Sequence, residues 1–248
     1  MRTRIFQISV REIEEPVWLS ELYDAVQVGS GATFCPHRDS ECEGSISQWN
    51  PLYYEQTGTF WVWKEGSKDL DIVGLCQYRR RLKFKDASEV EKIFERFDCI
   101  LPEPLYLGSV YEQYARCHSR TDIALAERIV KEKYPEFSDG FNAYIKRGNV
   151  LYYSASYVMR KKDFDDWCCF WFGFCDEFRR RRGWDTPEKA KADIQAEMDA
   201  GLRMKSRGVD YQGAVFGFLQ ERMLTMWVRT RFSRDRIRTV PFTKFDGV

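Results

Sequence analysis

Ile72-Val73-Gly74-Leu75-Cys76-Gln77-Tyr78-Arg79-Arg80-Arg81 is an apolar run that ends in three consecutive guanidinium groups. Uncharged residues led by β-branched Ile and Val read as a buried strand, and the arginine triplet marks the tract at its carboxyl end. Working outward, residues 3–10 (TRIFQISV) form a first buried strand, residues 98–104 (DCILPEP) a short one stopped by prolines, and residues 150–159 (VLYYSASYVM) a β-rich run. Helical stretches lie between them. Asn50 and Pro51 suit the start of a helix over 50–64, on which Tyr54, Thr57, Trp61 and Lys64 recur at helical spacing. Ser88-x-x-Glu91 and Ser109-x-x-Glu112 spell capping boxes for helices reaching Phe97 and Cys117, and Thr121 is placed to cap a third. Residues 163–181 and 212–230 read as long helices, and 24–48 as a loop rich in Gly, Ser, Cys and Asp. Strands alternating with helices predict an α/β protein with one central sheet. Ligands of such sheets sit beyond the carboxyl ends of the strands, which singles out the 24–48 loop and the tract after residue 76.

A chain of 248 residues scales to roughly 11,500 Å² of folded surface against about 43,000 Å² extended, ample burial for a core without disulfide or metal staples. Hydrophobic residues at 44% and charged ones at 31% exclude a disordered, collagen-like or integral-membrane chain. A net charge of +1 excludes a global field for nucleic acid. It conceals an asymmetry: from Leu202 onward ten Lys/Arg face four Asp/Glu. Aromatic residues reach 16%, with eight Trp, which suits a large core or a flat ligand. Cys168 and Cys169 are adjacent, and Cys76 and Cys99 sit inside strand-like runs, so free thiols explain the eight cysteines better than bridges. A zinc set of Cys35, His37 and Cys42 lacks a CxxC pair and a fourth ligand. MRTRIFQISV lacks the apolar stretch of a signal peptide and no run could span a bilayer, so the expected location is cytoplasmic. The aromatic segment after Asp163 ends in Arg179–Arg182. It reads either as a buried helix whose cations suit its dipole or as an interfacial helix meeting anionic lipid at the inner face of the membrane. A single domain over 1–248 is expected, with a polar helical insertion around 184–208 and a basic tail over 231–248.

GxxxxGK[ST], GxGxxG after a strand, HExxH and GxSxG are missing, and histidine chemistry has two candidates, His37 and His118. Guanidinium forks after a buried strand suit a diphosphate; the alternative is a solvated edge or salt bridges between helices. Asp39, in the 24–48 loop, is a candidate for ribose or metal, or is merely solvated. Tyr54 and Trp61 are candidates to stack on a base or sugar, or to fill the core.

Several blocks of the chain resemble a bacterial family from capsular and exopolysaccharide loci, domain of unknown function 4422. They are Ser45-Ile46-Ser47, Asn50-Pro51-x-Tyr53-x-Glu55-x-Thr57, Trp61-x-Trp63-Lys64 and Ile72 to Arg80, then Ile100-Leu101-Pro102-x-Pro104, Ser109-Val110-Tyr111-x-Gln113-Tyr114 and His118, and finally Tyr211-Gln212-x-x-Val215 to Arg222. The resemblance implies a sugar-nucleotide-dependent glycosyltransferase, a hexosyltransferase with a GT-A-like, Rossmann-related fold and a central mixed sheet. The donor would be UDP-linked, carrying galactofuranose or another hexose. The acceptor would be a lipid-linked oligosaccharide or growing cell-surface polysaccharide, with peripheral membrane contact and no nucleic acid. Two departures stand out: Gln77 where the family usually has His, and the strand Tyr153-Ser154-Ala155-Ser156-Tyr157 where it often has Asn.

Under that resemblance, Asp39, Asn50, Tyr54, Glu55, Thr57, Gln77, Tyr78, Arg79 and Arg80 are the donor-binding candidates. Arg222, Tyr211 and Gln212 are assigned to the acceptor or a partner. A general base near the acceptor hydroxyl falls to Glu221 first, then Asp210, then His118. Glu221 pairing with Arg222 for structure is the alternative. Mn²⁺ or Mg²⁺ is admissible, yet Asp69-Leu70-Asp71 precedes its strand and the slot after the strand holds Gln77-Tyr78-Arg79, so no metal ligand is assigned and Arg79 or Arg80 would stabilise the departing diphosphate. A sugar-phosphate transferase and a non-catalytic nucleotide- or carbohydrate-binding assembly protein are the other function classes.

Overall fold

The computed structural model describes residues 1–12 and 20–244. Its strands are β1 (Thr3–Ser9), β2 (Tyr23–Gln27), β3 (His37–Arg38), β4 (Ile72–Gln77), β5 (Arg80–Leu82), β6 (Cys99–Pro102), β7 (Leu105–Tyr106), β8 (Val150–Leu151), β9 (Tyr157–Arg160), β10 (Ile237–Val240) and β11 (Phe242–Lys244). The main sheet runs β10-β6-β9-β4-β1-β2-β3, with β5 and β11 hung from the end of β4. β1 to β4 are parallel, β9 is antiparallel between β4 and β6, and β10 is parallel to β6. β7 and β8 form a separate antiparallel ribbon.

Both faces of the centre are covered, as parallel strands require. Phe6, Ile8, Val26, Val73 and Leu75 face the aromatic helix Lys161–Arg182 on one side. Ile5, Ala25, Ile72 and Cys76 face the helix Ala87–Phe94 on the other. Gly74 is fixed by close approach: a Cβ there would lie 2.7 Å from Ile5 Cγ1 and 3.1 Å from Val158 Cγ2. The order of strands reverses between β1 and β4, so the carboxyl end of β4, at Gln77, opens beside a topological switch point.

The aromatic excess is chiefly core. Trp167, Trp171, Phe174 and Phe178 are buried along one helix, with the Trp167 and Trp171 rings stacked 5.7 Å apart. Arg179–Arg182 at its end do not present a lipid-facing cluster. Arg179 pairs with Asp176, Arg180 and Arg181 with Glu177, and Arg182 with Glu197, and all but Arg180 are largely shielded. No described helix is long and apolar enough to cross a membrane. All eight cysteines are free, five of them buried.

Several local expectations shift. The 24–48 loop contains β2 and β3. Asp86, not Ser88, caps the helix Ala87–Phe94, because its carboxylate accepts from Glu89 N. Ser109 caps as expected, whereas the helix expected to be capped by Thr121 starts two residues earlier, after Ser119. The helix over 212–230 is broken at Ala214 into Gly208–Gly213 and Val215–Arg231.

The 184–208 segment is tied into the core rather than laid over it. Trp184, Ala190, Ile194 and Met198 are buried, and Arg203, fully enclosed, bonds Asp122 at 2.5 Å. The basic tail is likewise sheet: β10 lies on β6 and β11 on β5, while residues 245–248 lie outside the described residues.

Candidate active site

Beyond the carboxyl end of β4 opens a cleft of about 390 Å³. Its floor is built by two turns in uncommon backbone conformations. The expected continuous helix over 50–64 stops at Tyr53, and Tyr54 adopts φ 50° and ψ −127° before the chain resumes at Gln56. Such a conformation in a residue with a Cβ costs of order 1–3 kcal/mol and persists only where neighbours impose it. Here they do. Asn50 Nδ2 donates to Tyr54 O at 2.9 Å and to Thr57 Oγ1 at 3.2 Å, and Thr57 Oγ1 donates to Asp39 Oδ2 at 2.5 Å. The break turns Glu55 toward the cleft.

Across from it, Ser154 and Ala155 both have positive φ, 72° and 48°. That turn aims Ser154 N at Glu221 Oε1, 2.7 Å away, while Glu221 Oε2 accepts from Arg222 Nη1 at 2.8 Å. Glu221 is therefore held at both oxygens. Glu55 accepts from Gln77 Nε2 at 3.1 Å, and Gln77 Oε1 accepts from Arg80 Nη1 at 3.1 Å. Burial pushes the Glu55 carboxyl above its ordinary range, and the Glu221 charge adds to the rise.

Of the donor candidates, Tyr54, Glu55, Gln77, Arg79 and Arg80 line this cleft, joined by His118, Tyr211, Glu221 and Arg222. Six others do not. Asp39, Asn50 and Thr57 form the buried bracket that holds the Tyr54 turn, and burial raises the Asp39 carboxyl. Tyr78 is buried under Arg11 and Arg79. Asp210 is an exposed carboxylate paired with Lys191 at 2.6 Å, which removes the second base candidate. Gln212 is enclosed, donating to Cys117 O and Ser206 O. Trp61 stacks on His37 4.7 Å away, beside the amino ends of the strands, and Trp63 stacks on Phe172. The aromatic wall of the cleft is instead Tyr211, Phe218, His118 and Tyr153. Tyr153 and Arg207 also line the cleft and are not among the sequence candidates; for Tyr153 the available signal was the alternation that carries residues 151 and 153 to one side, and Arg207 had none. Arg222 reaches Gln113 Oε1 and Phe218 O, so its guanidinium is a fixed strut beside Glu221.

His118 is a poor base here. Gln212 presents its Oε1 to His118 Nδ1 at 3.4 Å, so the hydrogen sits on Nδ1. Burial, and then the Arg222 charge, lower its pKa to about 3. An imidazole held that low is neutral and weakly basic. The depressed folded value against about 6.5 unfolded means stability is fully present above pH 6.5 and declines as pH falls toward 3. Unfolding free energy is expected to drop by up to about 1.4 kcal/mol per pH unit below 6.5 from this residue. His37 opposes it, because its bond to Asp24 raises its pKa. Denaturant melts from pH 7 to 5 should therefore flatten in His118→Asn and steepen in His37→Asn; identical slopes in both variants would exclude this assignment.

As a divalent-metal set the cleft fits badly. Both Glu221 oxygens and Gln77 Oε1 already accept hydrogen bonds, and the groups beside Glu55 are guanidiniums. Among the described residues no three His, Cys, Asp or Glu side chains converge as ligands. Asp71 bonds Arg2 N at the far end of β4.

The sequence profile described as Domain of unknown function (DUF4422) matches residues 8–195. No curated protein matches the chain. Among solved structures, the WbbM bifunctional glycosyltransferase in its apo form superposes with a TM-score of 0.75 at 20% identity, covering 100% of this chain and 46% of that one. This chain thus spans under half of that protein. The α/β fold, GT-A-like with a mixed central sheet flanked by helices, is the one shared with it.

Proposed function

The chain belongs to the DUF4422 family, and from that premise we propose that it is a glycosyltransferase moving a hexose from a UDP-linked donor to a lipid-linked or growing polysaccharide acceptor. The observation that carries this is one cleft, beyond the carboxyl end of β4, in which the carboxylates of Glu55 and Glu221 meet the guanidiniums of Arg79, Arg80, Arg207 and Arg222. The fold shared with a solved glycosyltransferase supports the reaction class. The transferred sugar, galactofuranose or another hexose, rests on the family resemblance alone.

The roles follow from how each group is held. Arg79 and Arg80 receive the charge that develops on the diphosphate as the bond to the anomeric carbon breaks. Glu55, with its raised pKa, takes the proton of the attacking acceptor hydroxyl. Glu221, anchored at both oxygens, steadies the positive charge growing on the sugar. This moves the base from Glu221 to Glu55. The Tyr211–Phe218 wall stacks on the base or sugar.

A thermal-shift panel of UDP, GDP and CMP sugars, with and without Mn²⁺, tests the donor assignment. A UDP-sugar at a hundred times its Kd should raise the melting point by about 5–10 °C without metal. Arg79→Gln combined with Arg80→Gln should abolish that rise. No response to any UDP compound would overturn the donor, and a strict Mn²⁺ requirement would overturn the arginine role.

A further inference from the structure

The β7–β8 ribbon is a partition with a cleft on each side. Leu105, Leu151 and Tyr153 face the cleft of Glu55 and Glu221, while Tyr106, Val150 and Tyr152, alternating with them, face a second cavity of about 530 Å³. That volume lies in the range of small-ligand sites. Its far wall is the end of the helix Val215–Arg231 and the turn after it, which contribute Arg229 and Arg234.

Four arginines follow one another there, and they divide cleanly. Arg231 pairs with Asp163 and Asp166, and Arg236 with Asp98. Arg229 and Arg234, the two that line the cavity, have no carboxylate partner among the described residues, and Arg229 lies 4.5 Å from the Tyr144 ring centroid. Among the described residues no carboxylate lines the cavity. The neighbouring Asp235 accepts from the Ser233 side chain and faces Arg236 and Arg96. Burial raises the Tyr152 hydroxyl while both Arg229 and Arg234 pull it back, so the two charges converge near one phenol.

Two unneutralised guanidiniums call for an anion. Three tyrosines, each with an apolar face and a polar tip, call for a ligand with both characters, which inorganic phosphate lacks. We propose that this second cavity binds an acidic saccharide, its carboxylate or phosphate on Arg229 and Arg234 and its ring faces on Tyr106, Tyr144 and Tyr152. The choice of a saccharide rests on the glycosyltransferase reading; in that setting the cavity would hold an acidic residue of the acceptor chain one ribbon's thickness from the reacting cleft.

Calorimetric titration with glucose 1-phosphate, cellobiuronic acid, cellobiose and inorganic phosphate tests the proposal on the full chain. At least one acidic saccharide should bind, about tenfold or more tighter than cellobiose and than inorganic phosphate. Whichever acid binds identifies phosphate or carboxylate as the source of the charge. Arg234→Gln and Tyr106→Ala alter exposed side chains and preserve the fold; each should weaken that binding while leaving the UDP-induced thermal shift intact. Arg229→Gln with Arg234→Gln should remove the preference for acid. Failure of both acidic saccharides, equal binding of inorganic phosphate, or binding that survives the double variant would overturn the proposal. A missing UDP response with acidic-saccharide binding retained would strike only the donor reading.

Discussion

Glu55→Gln is expected to lower sugar transfer by about 10²- to 10⁴-fold while leaving the melting temperature nearly unchanged. Gln is isosteric, its carbonyl can still accept from Gln77 Nε2, and removing a carboxyl that burial already disfavours as an anion relieves the fold. Glu221→Gln should behave differently. Its amide would turn an N–H toward either Ser154 N or Arg222, both of which now donate, so some stability is lost along with activity.

The pH profile separates the two roles. A base whose pKa is raised becomes competent only as pH rises through that raised value, so kcat/KM in the native protein should fall on the acid side at a pH above the ordinary glutamate range. Taking away the Glu221 charge removes one cause of that rise, and the acid limb of Glu221→Gln should move to lower pH. If Glu55→Gln keeps its acid limb and most of its rate, while Glu221→Gln loses the limb, the base is Glu221.

Arg203→Ala should be the most destabilising single change away from the cleft, by about 3–5 kcal/mol. Its guanidinium is wholly enclosed, bonding Asp122 Oδ2 at 2.5 Å, Glu197 Oε2 at 3.0 Å and Gln212 O at 3.3 Å. Truncation leaves Asp122, itself fully buried, facing Arg182 at 3.6 Å as its nearest remaining cation. The loss corresponds to a melting point lower by about 6–20 °C. Asp122→Leu with Arg203→Met, which replaces both charges by apolar groups, should restore much of it, because what costs most is the orphaned carboxylate. A single variant within 1 kcal/mol of wild type by chemical denaturation would mean that water replaces the guanidinium. Gln212 is common to this cluster and to His118, so Arg203→Ala should also loosen the aromatic wall.

Strands and their buried sides were legible because burial writes itself into composition: Ile72 to Cys76 is apolar on both faces, and the arginines after it fall at the ligand edge. Ser109 announced its cap for the same local reason. What escaped depended on partners remote in sequence. Arg179–Arg182 admit a lipid-facing reading until Asp176, Glu177 and Glu197 are placed beside them, and the 184–208 segment reads as an insertion because its polar composition gives no sign of the Arg203–Asp122 pair. Asp39, Asn50 and Thr57 carry polar groups suited to a ligand, yet those groups bond one another. Helical spacing over 50–64 gave no warning of the Tyr54 break, since the side chains that impose it lie on both sides of it. The site was therefore half visible: its charges could be named, but which of them face the cleft was decided by two backbone turns.

The pairing of β11 with β5 has a consequence in time. Phe242 lies opposite Leu82, Thr243 opposite Arg81 and Lys244 opposite Arg80, and the Phe242 ring meets Tyr153 of the cleft wall. During synthesis the arginine strand leaves the ribosome roughly 160 residues ahead of the strand that completes it, a delay of about 10–30 s. Until then the edge that carries Arg80 lacks its neighbour, and a nascent chain holds every charged group of the cleft without the backbone that fixes one of them. On the proposed reading, the edge that would receive the diphosphate is completed only when β11 has been made.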